Sequence, residues 1–142
     1  MVSGPSALIG NIKALDFIRQ HEGEDPYALS LKHREVLGVP IANISRQIES
    51  RQKARVKLSE WYDTAGIIFP DPVNLQQSSS EATARYKNHL FTGHQIVDLT
   101  GGSGVDSYYI THQKEGIFVE PDEELCRLAA YNFKLLGSSI SI

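Results

Sequence analysis

Apolar and polar positions repeat with two different periods along this chain, and the change of period divides it. In the first half, Leu8, Ile12, Leu15 and Ile18 fall three and four residues apart, the spacing of one face of an amphipathic helix. Asp25–Pro26 supplies a cap and a proline at the first helical position, which predicts a second helix running to about Val36. Gly38 and Pro40 punctuate, and Ile41, Ile44 and Ile48 mark a third helix that continues into a basic segment. Pro70 and Pro72 frame a loop. Ser78-x-x-Glu81 has the form of a capping box opening a helix to about Leu90, which Thr92–Gly93 closes. Ile96–Leu99 and Gly116–Val119 are short apolar runs flanked by glycine, the pattern of buried parallel strands, with a helix of about eight residues between them. A further helix from Glu123 precedes Ser138–Ile142, which has the character of a strand beginning.

The chemistry gathers at the ends of the two apolar runs. The first ends in Asp98 and opens into Thr100-Gly101-Gly102-Ser103-Gly104; the second ends in Glu120-Pro121. Glycines let a backbone approach a ligand closely and adopt conformations that a Cβ forbids. The amides of such a loop and of the helix it opens then face the ligand's polar groups. Glu120 stands 22 residues after Asp98, where an acid accepts both hydroxyls of a ribose. A glycine turn in any α/β protein, with a solvated acid nearby, is the plainer alternative. Against the dinucleotide pattern G-x-G-x-x-G/A, the chain puts Ser107 at the last position, and no phosphate-seeking lysine follows. A nucleotide-dependent oxidoreductase is disfavoured on that ground.

Asp98-Leu-Thr-Gly-Gly-Ser-Gly104 resembles motif I of class I S-adenosylmethionine-dependent methyltransferases, and Val119-Glu-Pro-Asp122 resembles the strand end that follows it. Thr100 replaces the usual glycine, a departure similar to the loops of nucleic-acid methyltransferases. The stretch Glu123–Gly137, with its A-x-x-N-x-x-x-x-G ending, looks like the next helix of RNA methyltransferases. Upstream, Ser45–Trp61, Ile67–Pro70 and Gln77–Lys87 resemble a group of bacterial RNA methyltransferases with a helical, THUMP-like N-terminal region. The likeness runs from about Leu15 onward.

The resemblance implies an α/β protein: a helical N-terminal region (1–72), a connecting helix (73–94) and the β-α-β-α-β start of a Rossmann-like domain (95–142). It implies S-adenosylmethionine as cofactor. Asp98 would order the methionine end, Thr100, Gly101, Gly102 and Gly104 would line it, and Glu120 with Pro121 would hold the ribose. Ser80, with Ser79 and Thr83, would reach the cofactor's carboxylate, with plain helix capping as the alternative. The implied reaction moves a methyl group from the sulfonium to a nucleophilic atom of RNA, without a metal. Such domains have seven strands and carry the acceptor motif after the fourth. The chain is therefore expected to be a fragment, inactive alone, with its catalytic residues beyond Ile142. An open sheet edge would then favour self-association.

Composition narrows the partners. The chain has 142 residues, 41% hydrophobic and 22% charged, as expected of a globular protein. A net charge of −3 excludes a global polycation. Charge is nevertheless uneven, at +1 over residues 1–70 and −4 over 71–142. Arg46, Arg51, Lys53, Arg55 and Lys57 against Glu49 give +4 over twelve residues, followed by Trp61 and Tyr62. Cations on phosphates and aromatics stacked on a base would make RNA the partner; a solvated helix face ending at a buried tryptophan is the alternative. Cys126, the single cysteine, leaves no intrachain disulfide, suits a reducing cytoplasm, and has the neighbours of a packed thiol. His21, His33, His89, His94 and His112 lack metal-site spacing. No run approaches the ~20 apolar residues of a membrane span, and the start shows no leader pattern. A second class of function stays open: a non-catalytic helical module that binds RNA or protein, with an incomplete nucleotide-binding unit completing its fold.

Overall fold

The computed structural model describes residues 4–142, so Met1–Ser3 of the start lie outside the description. A 3-10 turn at Pro5–Leu8 leads into α1 (Ile12–Gln20), capped by Asn11, whose side-chain oxygen accepts from the Ala14 amide at 3.1 Å. The buried face of α1 is Ala14 and Ile18, whereas Ile12 is 71% exposed. Leu8 is buried in the preceding turn. Gly10, at φ 81°, breaks the chain between them, so the expected single face mixed two elements.

Asp25 caps α2 (Pro26–Lys32) as its sequence predicts, but the helix stops short of Val36. Instead β1 (Glu35–Val36) pairs antiparallel with β2 (Val39–Pro40). Leu37 and Gly38, at φ 53° and 79°, supply the two left-handed positions of a tight hairpin turn. Leucine is an unusual residue there, which hides the turn from sequence.

The spine is α3 (Ile41–Lys57). Its Ile44 and Ile48 join Leu8, Ile18, Leu29, Ile68 and Leu128 in one core. A second core gathers Trp61 of α4 (Ser59–Asp63), Leu75 of α5 (Pro72–Gln77) and Ala84 of α6 (Glu81–Leu90) around Val105 and Tyr109. Between the helices runs Ile67–Pro70, buried but neither helix nor strand. Buried backbone must find partners, and side chains supply them. The Gln47 amide pairs with both backbone groups of Phe69 at 2.8 and 2.6 Å. Asn132 does the same for Ile68 at 3.1 and 2.8 Å, and Ser50 donates to the Pro70 carbonyl at 2.8 Å.

Downstream, β3 (Gln95–Asp98) pairs in parallel with β4 (Glu115–Phe118), and α7 (Val105–Ile110) crosses between them. The helix has six residues, two fewer than expected. Asp122 caps α8 (Glu123–Leu135), and Ser141 makes one parallel bridge to Ile117 where a third strand was expected to begin. The strands are covered on one face only. Phe118 packs on Phe133 of α8 and beside Tyr108 of α7, while Val97, Leu99, Ile117 and Val119 stay exposed. The runs expected to be buried are therefore covered from the Phe118 side alone, where both helices lie.

Candidate functional site

The carboxyl ends of β3 and β4 meet through a small network of hydrogen bonds. Asp98 closes β3: one oxygen accepts from the Thr100 amide at 3.0 Å, the other from the Ser107 hydroxyl at 2.6 Å. Ser107 is 1% exposed. The residue that breaks the dinucleotide pattern is therefore the buried partner of the strand-end acid. The Gly101 amide donates to the Val119 carbonyl at 3.0 Å, and the Gly102 amide donates to Glu120 Oε2 at 2.8 Å. Glu120 Oε1 accepts from the Asp122 amide at 3.0 Å. One carboxylate thus ties the glycine turn to the turn that opens α8.

Two of the glycines answer to the protein's own packing. Gly104 opens α7 at φ 82°, and a Cβ there would lie 2.8 Å from Phe133 Cζ. A Cβ at Gly101 would strike the Phe118 ring. Gly102 differs, because a Cβ there would meet nothing nearer than the Thr100 carbonyl at 3.7 Å.

A cleft of about 350 Å³ lies against this turn, walled by Thr100, Gly101, Gly102, Ser103, Asp106, Glu120 and Leu125 and closed by Asn74, Gln77 and Ser78. Four of the expected residues line it together: Thr100, Gly101, Gly102 and Glu120. Four others stand apart. Asp98 lies behind the turn and faces a neighbouring groove of about 450 Å³ with Leu90, Phe91 and Val97. Gly104 is buried at the foot of α7, and Pro121 is exposed outside the cleft. Ser80 caps its own helix, its hydroxyl accepting from the Thr83 amide at 3.2 Å.

The serine stretch closes on protein groups. Ser79 donates to Asp106 at 2.9 Å and accepts from Lys87 at 2.9 Å, and Lys87 pairs with Asp106 at 3.0 Å. Glu81, expected to complete a capping box on its own helix, accepts instead from the Ser59 hydroxyl at 2.9 Å and the Glu60 amide at 3.0 Å. It caps α4, because Ser80 rather than Ser78 begins α6. Asn74, Gln77 and Ser78 are not expected at the site from sequence, which marks Ser78 only as a helix cap. Their one signal is Pro72, a proline at the first position of a helix that had looked like a loop.

Cys126 and Tyr108 are pushed toward their neutral forms. The Cys126 thiol donates to the Glu120 carbonyl at 3.0 Å. Burial, and then the nearby Glu120, Asp122 and Glu123 carboxylates, push its pKa up. Burial and the Glu60 carboxylate push Tyr108 up to about 12.

The basic segment does not form one charged face. Arg51 is 7% exposed, pairs with Glu22 at 2.8 Å, and lies over the Tyr62 ring at 4.8 Å. Lys53 pairs with Glu49 at 2.7 Å, and Lys57 donates to the carbonyls of Leu75 and Gln76 at 2.8 and 2.9 Å. Arg46 and Arg55 remain exposed, and Trp61 is buried rather than available for stacking on a base. Among the described residues, no group of three or more His, Cys, Asp or Glu is arranged to hold a metal ion, and no helix is long and apolar enough to cross a membrane.

Fold and cleft together define a mixed α/β protein with a glycine turn and a strand-end acid over a parallel strand pair. The chain matches no protein-family model and no curated protein. It is similar to the crystal structure of a "putative methyltransferase" from Porphyromonas gingivalis W83, with 27% identity and a TM-score of 0.77 over 92% of this chain. The match covers 34% of that protein, so the chain spans about a third of its length. At this coarse level the likeness, in sequence and in fold, is to a methyltransferase.

Proposed function

We propose that this chain carries the cofactor-binding part of a class I S-adenosylmethionine-dependent methyltransferase acting on RNA, with a Rossmann-like unit over 95–142. One observation carries the reading. Glu120 is fixed 2.8 Å from the Gly102 amide in the wall of a cleft of about 350 Å³, within the size range of small-molecule sites. Likeness to a methyltransferase supports it independently.

The residues present fit the cofactor. Each Glu120 oxygen takes one amide donor and keeps accepting capacity for a ribose hydroxyl. The cofactor, when bound, supplies an electrophilic methyl group on its sulfonium. The chain's own part is to bind and orient: Glu120 accepts the ribose hydroxyls, the Thr100–Ser103 backbone lies along the ligand, and Asp98 with Ser107 holds that turn in shape. RNA as the acceptor rests on the motif resemblance and on the exposed Arg55.

Irradiation with methyl-tritiated S-adenosylmethionine tests the assignment. Label should enter the peptides containing Gly101–Gly104 or Glu120, and S-adenosylhomocysteine should compete it away while NAD does not. Label confined to other peptides would refute the site.

A further inference from the structure

A second cleft, of about 430 Å³, lies in the helical region between the end of α1, the exposed side of α3 and α4. Arg19, Arg51 and Arg55 line it together with Glu22, Tyr62 and Asp63. Arg51 is 92% buried in its side chain, since 8% is exposed, yet only its Nε has a partner, Glu22. Its terminal nitrogens have no hydrogen-bond partner among the described residues. Neither terminal nitrogen is sealed from solvent: the fork opens into the cleft, where a planar acceptor can reach it.

The orientation of that fork is built rather than accidental. Tyr62 donates its hydroxyl to Glu22, and Arg51 sits over both the Tyr62 ring at 4.8 Å and the Phe69 ring at 5.8 Å. Gln52 fixes the loop below by donating to the Glu22 and Glu24 carbonyls at 2.8 and 2.9 Å. Glu22 and Arg51 balance each other's charge, so the free charge of the cavity comes from Arg19 and Arg55 against Asp63. Arg19 and Arg55 are exposed at the rim and make no ion pair among the described residues. Three guanidiniums therefore face one cavity, and among the described residues that line it Asp63 is the other acid.

We infer that this cleft is a phosphate seat that grips the backbone of the RNA substrate, with the Arg51 fork as the fixed contact and Arg19 and Arg55 closing from the rim. Guanidinium forks match phosphate oxygens two at a time, which ammonium groups do not. The inference rests on the RNA reading of the function and adds to it the place where the strand is held. It also separates the basic segment into parts: Arg55 belongs to the seat, whereas Arg46 lies outside it.

Fluorescence anisotropy with a labelled single-stranded oligoribonucleotide, across a salt series and on the full chain, tests this. Arg19→Ala and Arg55→Ala should each weaken binding several-fold and lower the slope of log K against log salt by about one, with Arg46→Ala close to the parent. Arg51→Lys, which keeps the charge and loses the fork, should weaken binding while the Trp61 emission stays that of the folded chain. Inorganic phosphate should compete, at far higher concentration than the RNA. Equal losses from Arg46→Ala and Arg55→Ala would overturn the seat in favour of a diffuse charged surface. No RNA binding by the parent chain at any salt concentration would overturn the nucleic-acid assignment. Failure here leaves S-adenosylhomocysteine binding at Glu120 unchanged, so the two readings fail separately.

Discussion

Asn132 shows what a single side chain does here. It is fully buried and satisfies both backbone groups of Ile68, 64 residues away. Leucine at this position would fill similar volume and leave a buried N–H and C=O unpaired. Asn132→Leu is expected to cost about 2–6 kcal/mol, at about 1–3 for each of the two orphaned groups. Urea unfolding followed by Trp61, the chain's one tryptophan and wholly buried, would measure it. At this scale the sequence was informative about kind and silent about partner. Glu120 was legible as the strand-end acid beside the glycine turn, because turn and acid close two strands that are near in sequence and pair in parallel. Asn132 stood within a recognisable A-x-x-N ending, but its partner Ile68 is too distant in sequence for any spacing rule to find. Ser107 looked like a flaw in a motif and proves to be the donor that holds Asp98.

Elements are joined by carboxylates that a pH titration can reach. Burial alone would raise the pKa of Glu22, but hydrogen bonds from Tyr62 and Arg51 outweigh it and hold the carboxyl below its usual 4.5. Glu81 and Glu124 are lowered in the same way, by Glu60's amide and Ser59 in one case and by Ser6 in the other, each against burial. A lowered folded-state pKa gives stability that is present above the ordinary carboxylate pKa and is lost as pH falls through the lower one. The urea midpoint should therefore drop on acidification below about pH 4.5, and Glu22→Gln should start lower and lose less. The opposite limb belongs to Tyr108. Its pKa, raised from 10.0 to about 12, gives stability that is complete below 10 and is lost between those values. Absorbance at 295 nm should show Tyr108 and the more deeply buried Tyr109 ionising last. Element boundaries were legible where chemistry is local, as at Asp25–Pro26. They failed where a tertiary partner or an unusual residue decided the matter, as at Leu37–Gly38 and at Glu81, which caps a neighbouring helix.

Taken as a whole molecule, the helical layer and the parallel pair are built into each other. The amide of Ser6, near the start, donates to Glu124 of α8 at 2.6 Å, and Ile68 is clamped by Asn132 of the same helix. Trp61, Leu75 and Ala84 share a core with Val105 and Tyr109 of α7. Unfolding should therefore be a single cooperative event, with Trp61 emission and far-ultraviolet ellipticity changing at one denaturant concentration. Separate transitions would show that the two regions fold independently. The cleft beside Glu120 depends on this joint construction. Its wall comes from the glycine turn and Glu120, and its other side from Asn74, Gln77 and Ser78 at the end of α5.

The central claim is that this cleft takes the adenosyl cofactor through Glu120. Calorimetric titration of S-adenosylhomocysteine into the chain, beside NAD and a Glu120→Ala variant, tests it most directly. The account predicts saturable binding by the parent chain, none by Glu120→Ala while its Trp61 emission stays native, and no response to NAD. Silence toward S-adenosylhomocysteine, or binding that survives loss of the Glu120 carboxylate, would contradict it.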